Sequence, residues 1–162
     1  RGIREILEAF SERSIKDHVV FMGYGDWVPM VQRFAGQYEN IHIHKPVPHE
    51  DVVNVAQEAD YGLCLIENIS LSDYLCLPNK LFEYAFAGIP IIASKFPEME
   101  KIVKKYQLGL CCEPLSPQII DTINSLKTKP GINQSLDIYE LSWNAQEERL
   151  LTTYKTLVEE IY

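Results

Sequence analysis

Apolar residues in this chain follow two rhythms. Val19, Val20, Phe21 and Met22 form a compact β-branched and aromatic run that ends at Gly23-Tyr24-Gly25, which predicts a buried strand and a turn. Ile41, His42, Ile43 and His44 predict a second strand, stopped by Pro46 and Pro48. Residues 61–66, 90–94 and 108–112 predict three more. Between these runs the spacing turns helical. Ile3, Ile6, Leu7 and Phe10 share one face of a leading helix. Asp26 reads as the N-cap of a helix carrying Val28, Val31, Phe34 and Ala35. A short helix fits residues 51–59, and 67–78 reads as a polar loop. Helical spacing resumes at Asn79, through Leu81, Phe82, Ala85 and Phe86, and stops at Gly88. Pro97 opens the next helix, with Met99, Ile102 and Val103 apolar. Ser116 and Pro117 fit N-cap and first-turn positions of a helix through Leu126. Residues 128–133 read as a loop, and a long helix fits 143–161.

Strands alternating with helices predict an α/β fold whose parallel sheet is covered on both faces. Such sheets bind ligands at the carboxyl ends of their strands. The leading helix follows no strand in this sequence, so a strand is expected ahead of Arg1 in the parent protein. Without it the sheet would lose a neighbour.

Composition narrows the classes. A chain of 162 residues, 46% hydrophobic and 23% charged, fits one globular domain. No apolar run approaches the ~20 residues needed to span a bilayer. The net charge of −8 argues against a general nucleic-acid binder, which needs a basic face. Cys64, Cys76, Cys111 and Cys112 make no C-x-x-C pair, and the four histidines show no ligand spacing, so no metal is expected. Buried thiols in a reducing cytosol are the expected state of Cys64, Cys111 and Cys112. Arg1-Gly2-Ile3 reads as a cut into a longer protein.

The candidate chemistry sits before Gly88. Asn79 occupies an expected N-cap position, Lys80 the first turn and Glu83 nearly the same face one turn later. A lysine in the first turn opposes the helix dipole unless an anion lies between it and the backbone N–H groups. A carboxylate at Glu83 can accept two hydrogen bonds from adjacent hydroxyls, as on a ribose. Spacing alone leaves two readings open: a nucleotide-reading cluster, or an Asn-capped helix with a Lys80–Glu83 surface ion pair. Gly23-Tyr24-Gly25 does not extend to a dinucleotide fingerprint. Val28 stands where the third glycine belongs, and no acid follows at the right distance.

The segment LPNKLFEYAFAGIPIIAS, residues 77–94, resembles the signature of retaining GT-B glycosyltransferases. VVFMGYGDWVPMVQRFA, NIHIHKPVPHEDVVNVAQEADYGLCLI and LSWNAQEERLLTTY resemble further pieces of the same C-terminal domain. The resemblance implies that residues 1–162 form a single nucleotide-sugar-binding domain, Rossmann-like, ending in a helix over 143–162 that points back toward an acceptor-binding N-terminal domain. It implies a hexosyltransferase of polysaccharide biosynthesis whose donor is a UDP-, GDP- or other nucleoside-diphosphate sugar, with no cofactor. The expected location is cytoplasmic, and peripheral association at the inner face of the membrane is compatible with it. A nucleotide-sugar epimerase of the same fold and a non-catalytic nucleotide-binding module are the alternatives.

The resemblance also implies site residues. Glu83 matches the second acid of a Glu-x7-Glu pattern, which contacts the donor's ribose, and Lys80 matches a lysine near the diphosphate. Asn79, Leu81, Gly23, Val47 and Tyr74 complete the implied donor set. Gly23 does so as part of a tight turn beside the cleft, and Val47 within a loop near the base. The first acid of the pattern falls at position 75, where this chain has Leu75. Glu67, Asp73 and Tyr74 are the side chains near enough in sequence to replace it, and the catalytic residue stays unassigned.

Overall fold

A computed structural model describes residues 2–128 and 137–161, with side chains through 158. The chain divides into two compact units, Arg1–Ile132 and Asn133–Tyr162. The loop expected over 128–133 lies outside the described residues beyond Thr128.

In the first unit helices alternate with strands. The order is α1 (Ile3–Ser11), β1 (Val19–Met22), α2 (Val28–Ala35), β2 (Ile41–His44), α3 (Val52–Ala56), β3 (Gly62–Cys64), α4 (Leu71–Tyr74), α5 (Asn79–Ala87), β4 (Ile91–Ser94), α6 (Pro97–Lys105), β5 (Gly109–Cys112) and α7 (Ser116–Lys127). Every ladder is parallel. The expected single sheet is divided in two, with strand orders β1-β2 and β3-β4-β5. Among the described residues no ladder joins the two sheets.

The two sheets nevertheless share a core. The apolar stripe of α1 buries Ile6, Leu7, Ala9 and Phe10. These pack in one cluster with Val19 of β1, Ile41 of β2, Ile92 of β4, and Ile119 and Ile123 of α7. Burying each of the larger side chains contributes about 1.5–3 kcal/mol. Strand side chains alternate between faces, so Ile91 points away from this cluster. Gly62 pairs with Ile91 and therefore lies on that opposite face. There the Tyr84 ring of α5 presses so closely that a Cβ on Gly62 would stand 2.4 Å from it. Helices thus flank both faces of the three-stranded sheet, and the chain is α/β with parallel sheets.

Element ends depart from the expected ones for local reasons. The third strand stops at Cys64 rather than 66 because the Ser94 side chain takes both backbone groups of Ile66. The expected loop over 67–78 contains α4, whose N-cap Ser70 accepts the Asp73 N–H while donating to its carboxylate. The N-cap positions are Trp27, Pro78 and Leu115 rather than Asp26, Asn79 and Ser116. Gly88 ends α5 with φ 72°, a left-handed conformation that glycine adopts without a Cβ penalty.

The second unit holds a short 3-10 turn (Tyr139–Leu141) and α8 (Trp143–Ile161). Ser142 caps α8 by accepting the Ala145 N–H. Among the described residues, no helix is long and apolar enough to cross a membrane.

Candidate functional site

The site grows from the start of α5. Pro78 is extended and brings no side-chain cap, so Asn79 is the first helical residue and not the cap. Helix N-termini leave backbone N–H groups without intrahelical partners, and here the Leu81 N–H turns back to the Pro78 carbonyl at 3.0 Å. Leu81 itself is completely buried. Its apolar side chain joins the core. Asn79 is exposed, and Lys80 and Glu83 are half-buried.

Lys80 reaches the carboxyl end of β3, where its Nζ donates to the Leu65 carbonyl at 3.5 Å. Cys64, fully buried beside it, reports both charges. Burial pushes its thiol up to about 12, with Lys80 opposing the rise and Glu83 adding to it. The charges of an ammonium and a carboxylate one helical turn apart thus both reach a thiol that burial keeps neutral.

The strand exit beneath Lys80 is held firmly. Ser94, buried at 0% exposure, accepts the Ile66 N–H at 2.7 Å and donates to the Ile66 carbonyl at 2.9 Å. Gly2 lies against Leu65, with room of only 3.2 Å between a Cβ built on it and the leucine's own. The start of α1, the exit of β3 and the end of β4 thus meet at one point.

The three side chains near enough in sequence to replace an acid at position 75 have separate fates. Leu75 itself is 48% exposed and follows α4 as its C-cap. Asp73 is engaged with Ser70. Tyr74 tilts against Phe96 with ring centroids 5.3 Å apart. Glu67 is half-buried and lines a cavity of about 380 Å³ together with Tyr74. Gly23 and Val47 follow the carboxyl ends of β1 and β2, on the two-stranded sheet, while Lys80 and Tyr74 stand at the exit of the three-stranded one.

The family of glycosyl transferases group 1 matches residues 1–128, which includes every one of these positions. The chain belongs to that family. No curated protein and no solved structure matches it. Membership in group 1 makes glycosyl transfer the general chemistry of the family, and the parallel α/β unit is consistent with such a domain.

Sequence reasoning did not bring together the residues of one cavity in this group 1 domain. Asn68, Lys95, Phe96 and Glu113 line the same cavity as Glu67 and Tyr74. Each lies just beyond the carboxyl end of β3, β4 or β5. The signal was present, because ligands of parallel sheets gather at those ends. It went unread because no spacing within the sequence links residues on three different strands.

Proposed function

We propose that this group 1 domain binds a nucleoside-diphosphate sugar and serves its transfer to a glycan, lipid or other acceptor. The observation carrying the proposal is the start of α5, where Lys80 lies in the first turn at the exit of β3 and Glu83 follows one turn later. The backbone N–H groups of that turn and the Lys80 ammonium favour a diphosphate. Glu83 accepts the two ribose hydroxyls, and Asn79, Gly23, Val47 and Tyr74 complete the donor surface. The donor is a substrate, and no separate cofactor is part of the proposal.

In the transfer the bond from the anomeric carbon to the diphosphate oxygen breaks, and negative charge grows on the leaving diphosphate. Donors already aimed at that charge stabilise the transition state more than the ground state. Lys80 and the first turn of α5 fill this role. A hexosyl group and a cytoplasmic location fit the same reading.

A thermal-shift series with UDP, GDP and their sugars tests it. A nucleoside diphosphate at ~100 times its dissociation constant adds about 2.7 kcal/mol to stability and raises the Tm. Glu83→Ala weakens that binding by about 1.5–3 kcal/mol, the value of a hydrogen bond to a charged group. No Tm shift with any nucleoside diphosphate would refute the reading, and an unchanged affinity in Glu83→Ala would remove Glu83 from it.

A further inference from the structure

The outward face of the β1–β2 ladder carries a pair of side chains that the start of α5 does not use. His18 precedes β1, His42 is the second residue of β2, and both are exposed. The His18 Nδ1 and the His42 Nε2 stand 2.8 Å apart. Their rings are 7° from parallel, with centroids 5.1 Å apart. So wide a centroid separation beside so short an N···N distance sets the rings end to end, each aiming one nitrogen at the other. One nitrogen donates and the other accepts. Spacing along the chain gave no sign of this pair, because its members are 24 residues apart and only the ladder brings them together.

The backbone around the pair is fixed. Val19 and Ile41 are buried partners in the ladder. The Val19 N–H donates to the Asn40 carbonyl at 2.9 Å. The Asn40 Nδ2 in turn donates to the carbonyls of Phe10 at 2.9 Å and Asp17 at 3.2 Å. The residues flanking His18 and those leading into His42 are thereby held from both sides. The bond between the two exposed rings adds little to stability itself, since water replaces either partner there. A rigid frame that presents two ring nitrogens side by side is, however, what a chelating site needs.

The separation suits one class of ligand. Two nitrogens about 2.0–2.1 Å from one cation stand about 2.9 Å apart at a right angle and about 3.3 Å apart at a tetrahedral one. Copper(II) and nickel(II) favour square-planar and tetragonal arrangements with such right angles, and imidazole suits them, whereas magnesium and calcium favour oxygen. To admit the cation, the donating ring passes its proton through solvent to its other nitrogen. Both rings then turn a lone pair to the metal, and no proton is gained or lost overall. Among the described residues no third His, Cys, Asp or Glu joins the pair in a metal-ligand cluster, so water fills the remaining positions. Asp17, next to His18, is engaged by Lys127. His44 lies on the same face of β2, with its Nδ1 bonded to the Lys45 carbonyl at 2.6 Å.

We propose that His18 and His42 form a two-imidazole site for a late first-row divalent cation, copper(II) ahead of nickel(II) and zinc(II), which clamps β1 to β2 at their amino ends. Isothermal titration of copper(II), nickel(II), zinc(II) and magnesium chlorides tests it, in a buffer without metal-binding groups. The proteins are the wild type, His18→Ala, His42→Ala and His44→Ala, with circular dichroism melts to confirm that each is folded. Electron paramagnetic resonance of the copper complex counts the bound nitrogens.

The wild type is expected to take up one copper(II) with two nitrogens, to bind nickel(II) and zinc(II) more weakly and to ignore magnesium. Copper also raises its Tm, since the folded chain alone holds the two rings together. His18→Ala and His42→Ala each lower copper affinity about tenfold or more and leave one nitrogen, because the second ligand no longer binds at high effective concentration. His44→Ala binds as the wild type does. Copper affinity unchanged in His18→Ala or His42→Ala, an equal loss in His44→Ala, one nitrogen in the wild type, magnesium binding as tightly as copper, or no copper binding at all each overturns the proposal.

Discussion

Gly62 has no side chain, and that is its function. Tyr84 of α5 lies flat against its backbone, and a Cβ there would stand 2.4 Å from the ring. Gly62→Ala must push α5 off the sheet or force the ring from its rotamer, at a cost of about 1–3 kcal/mol. Urea unfolding of this variant should show a lower midpoint. Because α5 also carries Lys80 and Glu83, nucleotide affinity should fall although Gly62 touches no ligand. Affinity unchanged beside a lowered midpoint would mean that the helix start is set independently of this contact. At this scale the sequence was legible where chemistry is local. Lys80 and Glu83 lie one turn apart in any helix. Leu81 lies beside them in the motif, yet its side chain faces the core, because neighbours on a helix point in different directions. Gly62 gave no sign, since its partner stands in the next helix but one.

Elements were legible wherever a hydrophobic period ran long enough. The strands and most helices lie where the apolar spacing put them. Their ends were less so, because caps are decided by backbone geometry: Asn79 has the right side chain, but the extended residue is Pro78. The small helix α4 escaped because four residues carry no period. The junction of β3 with β4 illustrates contacts that no spacing reveals. Ser94 is apolar in context and polar in chemistry, and it serves both backbone groups of Ile66. Ser94→Ala leaves a buried N–H and a buried carbonyl without that partner, which costs about 1–3 kcal/mol. The expected result is a lowered urea midpoint together with faster hydrogen exchange at the Ile66 amide. Exchange there matching the wild type would show that another group replaces the hydroxyl.

Across the whole molecule, buried acids set the alkaline limit of stability. Burial, first among the causes, pushes the Cys64 and Cys111 thiols and the Tyr84 hydroxyl up to about 12. Unfolded, these groups ionise near their ordinary values of 9.0 and 10.0. Between about 9 and 12 the folded chain therefore holds more protons than the unfolded one. Stability is full below that window and falls as pH rises through it. The urea midpoint should be lower at about pH 10.5 than at pH 8, and equal midpoints would contradict the burial of these groups. The α/β class followed from alternation, and the leading helix with no strand before it already pointed to a sheet short of a neighbour, while which ladders form depends on which edges meet.

That division has a colloidal consequence. A strand with a ladder on one side offers its other backbone edge to whatever arrives, and β1 and β3 each have such an edge among the described residues. Val20 on β1 is 60% exposed and apolar, with neither charge nor proline to repel a foreign strand. Two copies of residues 1–162 taken alone could extend each other's sheets at these edges, and concentrated solutions of that chain would first turn cloudy there.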